Sequence, residues 1–149
     1  MPETVMEENC LFEKLRDSFE LEKVDIRTYS PLSLAYIGDA VYDLFIRSFV
    51  IGKGNTSNNS LHKMSVKYVS AVAQAKIANV IQSELTEDEL NIFKRGKNAK
   101  PSSGAKNASA KEYHIATGFE ALIGYLYLAG NEERIVELVK RGIEETDSE

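Results

Sequence analysis

Two strongly apolar stretches, each interrupted by one acidic residue, constrain the fold of this chain more than any other feature. Asp39 lies in the run LAYIGDAVY, residues 34–42, and Glu120 lies in FEALIG, residues 119–124. Glycine or alanine flanks each acid, and such small residues allow two helix backbones to approach closely. A buried carboxylate without a partner is costly, so it becomes protonated, pairs with a base or binds a metal ion. Two such acids on neighbouring helices could therefore share a divalent cation.

Helical periodicity and capping signals predict an all-α fold with about six or seven helices. Apolar residues recur at helical spacing over residues 11–21, and Ser30-Pro31 is a typical helix start, followed by a buried helix to about residue 50. Further helices are predicted over residues 60–83, from Thr86 to Lys94-Arg95, over 111–128 and from Asn131 onwards. The sequence contains no alternating strand pattern longer than a few residues and no internal repeat.

Length and composition favour one globular domain over residues 1–149. Residues 1–9 are polar and are expected to fray, and residues 96–110 have the composition of a basic loop. The single cysteine, Cys10, excludes an intrachain disulfide and is typical of the reducing cytoplasm. Charged residues interrupt the most apolar segments, so neither a membrane-spanning helix nor a signal peptide is predicted.

The net charge of −5 is distributed unevenly along the chain. Acids outnumber bases eight to four in residues 1–30 and seven to three in 131–149, whereas bases outnumber acids eleven to eight in 31–130. Residues 94–111 contain six bases and no acid. Such a segment is usually a solvated loop, and the alternative is an arm that neutralises nucleic-acid phosphates. The candidate nucleic-acid contacts are Lys94, Arg95, Lys97, Asn98, Lys100, Lys106, Asn107 and Lys111.

Each of the two acids also has a structural interpretation. Asp39 could bond to a neighbouring amide or tyrosine hydroxyl, and Glu120 could pair with a lysine or arginine; spacing alone leaves both interpretations open. Asp43 lies one turn after Asp39, and we interpret it as the solvent-facing partner of Arg47, four residues further on. Two histidines lack the partners that a zinc site needs and are interpreted as structural or surface residues: His62 and His114.

The two acidic stretches resemble the two motifs of the ribonuclease III family. LAYIGDAV, residues 34–41, is similar to the signature in which a Leu-Gly-Asp-Ala run supplies a metal-binding Asp. FEALIGYLYL, residues 119–128, is similar to the second motif, whose Glu completes the site, and VKYVSA at 66–71 resembles the helix between them. The resemblance covers roughly residues 30–145. No double-stranded-RNA-binding domain is expected beside it, so the chain most resembles the Mini-ribonuclease III group, bacterial enzymes that consist of the catalytic domain alone.

The resemblance implies the helical fold of the ribonuclease III endonuclease domain and a homodimer that cuts both strands of double-stranded RNA with Mg²⁺. Products would carry 5′-phosphates, 3′-hydroxyls and short 3′ overhangs. Asp39 and Glu120 would be the catalytic and metal-binding residues, since Mg²⁺ prefers oxygen ligands and retains several waters. For the Mini-ribonuclease III group, the resemblance implies maturation of the 23S ribosomal RNA precursor in the cytoplasm, with a ribosomal protein as a candidate partner that presents the substrate.

Three positions depart from the pattern of full-length ribonuclease III enzymes, which carry additional acids there. This chain has Leu32 and Ala35 before Asp39, and Thr117 before Glu120. The smaller carboxylate set predicts weaker metal affinity and argues against a second, tightly held metal. Two other functions stay open: a catalytically inactive RNA- or ribosome-binding protein with the same fold, and a helical dimerisation module with a basic loop. Paired buried acids disfavour the first, and the second predicts no affinity for RNA.

Overall fold

The computed structural model describes residues 10–99 and 109–148, which form seven α-helices and no strand. The helices are α1 (Leu11–Ser18), α2 (Pro31–Lys53), α3 (Asn58–Val69), α4 (Ala71–Ile81), α5 (Glu87–Lys97), α6 (Ala110–Leu128) and α7 (Glu132–Asp147). This architecture confirms the all-α prediction, whereas the predicted fraying of residues 1–9 lies outside the described residues. Among the helices described, none combines the length and the hydrophobicity needed to cross a bilayer.

Several helices begin at the capping residues from which the sequence predicts their start. The Ser30 hydroxyl accepts a hydrogen bond at 3.2 Å from an N–H in the first turn of α2. Thr86 and Glu89 form the predicted capping box of α5, with reciprocal hydrogen bonds of 2.9 and 3.2 Å. Gly130, at a φ of 77°, follows the end of α6, and the Asn131 side chain caps α7. These boundaries follow from the sequence alone because the partners are close neighbours along the chain.

Helices α2 and α6 cross at the centre of the fold with their backbones in direct contact. A methyl group added at Gly38 would overlap the backbone carbonyl of Glu120, and one added at Gly124 would overlap that of Leu34. Only glycine therefore permits this approach at the two positions. The contact brings together the two stretches that carry Asp39 and Glu120.

Helices α4, α5 and α7 pack around α6, which is buried over most of its length. The rings of Tyr42 and Phe119 meet edge to face with centroids 5.0 Å apart, and the Tyr42 hydroxyl donates a 2.7 Å hydrogen bond to the Tyr68 carbonyl. Arg134 of α7 holds α5 through two 2.8 Å hydrogen bonds to the Glu89 carboxylate. These contacts surround the α2–α6 crossing with a rigid, apolar core.

The prediction of one continuous helix over residues 60–83 is wrong. The chain breaks at Ser70, which separates α3 from α4 and adopts an extended conformation with φ −68° and ψ 159°. The Ser70 hydroxyl accepts a 3.1 Å hydrogen bond from the Ala73 N–H and so caps α4. Serine favours such cap positions because its hydroxyl competes for backbone hydrogen bonds. The break also ends α3 at Val69. The Val69 carbonyl therefore lies at a helix end, where it accepts a hydrogen bond from the Gln74 side chain.

Candidate active site

Asp39 and Glu120 meet where α2 crosses α6. The expectation that both acids are buried is wrong for Asp39, which is exposed to solvent, whereas Glu120 is only partly exposed. The two carboxyl groups lie close enough for Asp39 to raise the pKa of Glu120. Among the described residues, no lysine or arginine forms an ion pair with Glu120. The structure instead brings the two predicted acids together as a pair.

The environment of this pair favours retention of a proton. Burial, which removes hydration from the charged form, and the neighbouring Asp39 carboxyl raise the pKa of Glu120 to about 8. The side-chain amide of Gln74 lowers the pKa of Glu120, because it favours the ionised carboxylate. Because the two carboxyls interact directly, the proton belongs to the pair rather than to one residue. A divalent cation would compete with this proton, as metal binding to carboxylates generally does.

The donor atoms at the site fit a hard divalent cation. Two carboxylates supply the oxygen ligands that Mg²⁺ prefers, and the exposure of Asp39 leaves one side open to water and substrate oxygens. Gln74, whose amide lowers the pKa of Glu120, also has a buried oxygen, Oε1, that has no hydrogen-bond partner among the described residues. No group of three or more His, Cys, Asp or Glu side chains assembles within residues 10–99 and 109–148. The described residues therefore offer a site with two carboxylates.

Neighbouring polar residues that might have enlarged the carboxylate set have other partners. The Thr117 hydroxyl is buried and donates a 3.0 Å hydrogen bond to the Tyr113 carbonyl of its own helix. Asp43 accepts a 3.0 Å hydrogen bond from Arg47 Nε, which confirms the predicted surface pair. Neither side chain joins the Asp39–Glu120 pair.

The basic end of α5 packs against α6 just before Glu120. A methyl group added at Gly118 would lie 2.6 Å from the Phe93 carbonyl oxygen, so this second glycine contact is also close. Lys94 and Arg95 are exposed in the last turn of α5. Two of the predicted nucleic-acid contacts thus belong to a helix end that is fixed against the segment carrying the acid.

The basic loop predicted over residues 96–110 begins later than expected, because α5 continues to Lys97. A cleft of about 310 Å³ lies between the end of α5 and the start of α6. Its lining residues are Lys97, Asn98, Lys111 and His114. His114, which the sequence analysis interprets as structural or surface, therefore joins three predicted nucleic-acid contacts. Three other predicted contacts lie outside the described residues: Lys100, Lys106 and Asn107.

Gln74 is the site residue that the sequence analysis missed. It lies in the first turn of α4, is 3% exposed, and its amide lowers the pKa of Glu120. The available signal was an amide between two alanines in a mostly apolar helix, Ala73 and Ala75. Gln74 belongs to the site because α4 packs against α6, which carries Glu120. The sequence pattern of α4 does not reveal that packing.

Comparison with known proteins assigns the chain to the same family as its motifs. The Ribonuclease III domain family matches residues 32–131. Mini-ribonuclease 3 of Clostridium tetani is 49% identical over 122 residues, which cover 81% of this chain and 81% of that protein. Mini-ribonuclease 3 of Brevibacillus brevis is 53% identical over 112 residues, which cover 75% of this chain and 84% of that protein.

A solved structure shows that the fold is shared as well. The crystal structure of a protein from Fusobacterium nucleatum matches with a TM-score of 0.73 and 36% sequence identity. The match covers 79% of this chain and 96% of that protein. The sequence and fold matches agree, and the chain therefore belongs to the ribonuclease III family as an endoribonuclease of the Mini-ribonuclease 3 type.

Proposed function

We propose that this protein is a Mg²⁺-dependent endoribonuclease that cleaves double-stranded RNA, with Asp39 and Glu120 as its catalytic metal ligands. The observation that carries the proposal is the pairing of these carboxylates at the glycine contact between α2 and α6. Two adjacent acids destabilise each other unless a proton or a cation lies between them. Such a pair in a family of endoribonucleases is best explained as a metal site.

The two acids would contribute differently to the reaction. Bound Mg²⁺ would supply an activated water and stabilise the charge that develops on the phosphate, giving 5′-phosphate and 3′-hydroxyl products. Glu120 would hold the ion from the enclosed side, where reduced access of water strengthens electrostatic attraction. Asp39 would hold it from the exposed side, where an RNA phosphate can approach without any movement of α2. The chain thus positions the ion and keeps one face accessible to substrate.

We propose that bases around the α5–α6 connection neutralise the phosphates of the RNA. Helical RNA is recognised mainly through its shape, its phosphates and its 2′-hydroxyls, so we expect modest sequence specificity. The proximity of the α5 end to the α6 segment that carries Glu120 supports this arrangement. The proposed contacts are Lys94, Arg95, Lys97, Asn98, Lys100, Lys106, Asn107 and Lys111.

We further propose that the enzyme acts as a homodimer that uses an exposed apolar stripe on α2. Leu32, Tyr36, Ala40 and Leu44 follow each other at four-residue intervals, and all four are exposed. Tyr36 is 82% exposed, although an aromatic ring of this size gains much from burial. Because Asp39 lies beside this stripe, two copies that meet here would bring two carboxylate pairs to one RNA duplex.

We propose the 23S ribosomal RNA precursor as the cellular substrate, presented by a ribosomal protein in the cytoplasm. The substrate and the presenting partner follow from the resemblance to the Mini-ribonuclease III group. The single cysteine of the chain fits a reducing compartment.

A cleavage assay with defined substrates tests the proposed function. Purified protein in Mg²⁺ should cut long double-stranded RNA, leave 5′-phosphate ends and lose this activity in EDTA. Single-stranded RNA and double-stranded DNA of the same sequence should stay intact. Binding without cleavage, on both double-stranded RNA and the 23S precursor, would instead support the catalytically inactive RNA- or ribosome-binding protein. Absence of binding would favour the dimerisation module.

Replacement of Lys94, Arg95 and Lys97 by Ala should weaken RNA binding and reduce its dependence on salt. Each lost phosphate contact should lower the slope of log K against log salt by roughly 0.7–0.9, because fewer counterions are released. Binding is measured by fluorescence anisotropy in EDTA, which prevents cleavage. The matched control replaces three exposed lysines elsewhere and should leave the slope unchanged: Lys14, Lys23 and Lys140. Equal slopes for all proteins would place the phosphate contacts on another surface.

A further inference from the structure

The side chain of Gln74 links the candidate metal site to the break between α3 and α4. Gln74 is 3% exposed, and its Nε2 donates a 3.2 Å hydrogen bond to the carbonyl of Val69. Val69 is the last residue of α3, where a helix leaves carbonyls without intrahelical partners. The same amide lies near enough to the Glu120 carboxyl on α6 to lower its pKa. One buried side chain therefore bonds to a helix end and acts on a proposed metal ligand.

The Val69 hydrogen bond fixes which way the Gln74 amide faces. A carbonyl oxygen can only accept, so the nitrogen of the amide must point towards Val69. An amide nitrogen carries two N–H groups, and the second is available to the ionised Glu120 carboxylate. The amide cannot be reversed without the loss of the Val69 hydrogen bond. The orientation seen in the structure is therefore the one that supports an ionised Glu120.

The same orientation leaves Gln74 Oε1 buried without a partner among the described residues. A buried acceptor without a donor is unfavourable, and such atoms are uncommon in folded proteins. A water molecule bound to a divalent cation is a strong hydrogen-bond donor, and metal sites often hold their waters and ligands through surrounding polar groups. The unpaired oxygen is thus explained if the site binds a hydrated cation.

We propose that Gln74 is a positioning residue that holds the Glu120 carboxylate in the orientation for divalent-cation binding, and that its Oε1 accepts a hydrogen bond from a water on the cation. The inference rests on the proposed function, because it assigns Gln74 to the same metal site. Gln74 does not contact the reacting phosphate in this assignment. It acts through Glu120 and through the hydration shell of the ion.

Titration of metal-free protein with Mn²⁺ by isothermal titration calorimetry tests this inference. Gln74→Met keeps the length and volume of the side chain but removes the amide, and it should weaken Mn²⁺ binding about tenfold or more. RNA binding in EDTA should stay as in the wild type, since Gln74 lies in the buried interior. Gln74→Asn, a milder variant, keeps an amide that is too short to join Val69 to Glu120, and it should also weaken Mn²⁺ binding.

Ser70→Ala is the matched control for a purely structural role. It removes the cap of α4 at the same helix break and should lower the melting temperature, but it leaves the Gln74 amide in place. Its Mn²⁺ affinity should stay within about twofold of the wild-type affinity. If Mn²⁺ affinity falls in Gln74→Met and in Ser70→Ala in proportion to the stability each variant loses, Gln74 is structural only and the inference is wrong.

The titrations also separate this inference from the proposed function. Wild-type binding of Mn²⁺ with an unchanged affinity in Gln74→Met and Gln74→Asn would overturn only the role of Gln74. A wild-type protein that binds no Mn²⁺ would overturn the metal site itself, and with it the role assigned to Gln74. Weakened binding in both Gln74 variants, together with normal binding in Ser70→Ala, is the result that the inference requires.

Discussion

Asp39→Asn and Glu120→Gln should each lower Mg²⁺-dependent cleavage of double-stranded RNA by about two to three orders of magnitude. Each substitution keeps the shape of the side chain but removes its negative charge. No third acid among the described residues joins the pair, so no neighbouring carboxylate can substitute for the lost ligand. Initial rates on a labelled RNA duplex at saturating Mg²⁺ measure the effect.

Asp43→Asn is the matched control for both variants. Asp43 is also an acid on α2, one turn after Asp39, but its carboxylate pairs with Arg47 at the surface. Such surface pairs contribute little to stability, so Asp43→Asn should cleave at close to the wild-type rate. All variants should retain helical circular dichroism and RNA binding in EDTA. Full activity in Asp39→Asn and Glu120→Gln would show that the paired acids are structural.

Glu120→Gln should also make the metal-free protein more stable than the wild type at pH 8.5, by about 3–5 kcal/mol. The pKa of Glu120 is about 8 in the folded protein and 4.5 in the unfolded chain, so the folded state binds the extra proton between these values. The stability that this proton contributes is complete below pH 4.5 and is lost as the pH rises through 8. Glutamine remains neutral, so the variant should not share this loss.

Urea denaturation in EDTA at pH 5 and pH 8.5 measures the difference between wild type and Glu120→Gln. The free energy of unfolding should fall with pH in the wild type and change little in the variant. Added Mg²⁺ should restore the stability of the wild type at pH 8.5 by binding the folded state, and it should have a smaller effect on the variant. A parallel loss of stability in both proteins would mean that other groups cause the pH dependence.

Residues whose partners are close in sequence account for the part of the fold that could be predicted. Thr86 and Glu89 lie three positions apart, so their capping box is visible in the sequence and occurs in the structure. The break at Ser70 was missed because the residues on both sides continue an apolar helical pattern and include neither glycine nor proline. The Ser70 cap marks that boundary, and α4 packs against α6 and α7 beyond it; tertiary contacts of this kind override local preference.

The candidate site was predictable to a similar extent. Asp39 and Glu120 each interrupt an apolar run, so both could be identified without knowledge of the fold, and the structure places them together. Gln74 could not be recognised, because a single amide in a helix has no characteristic spacing. His114 was likewise assigned no role, since its proximity to Lys97 and Lys111 depends on how α5 meets α6.

Because of the glycine contact between α2 and α6, the entropy cost of bringing the two acids together arises on folding and not on ligand binding. Because Gly38 and Gly124 lie against the backbone of the opposite helix, folding itself fixes the separation of the two helices that carry the acids. The conformational entropy needed to bring the acids together is lost before any cation arrives, so the site is preorganised. Under the proposed function, exchange of the cation between catalytic cycles would need rotation of the two acidic side chains, while the glycine contact holds the two helix backbones in place.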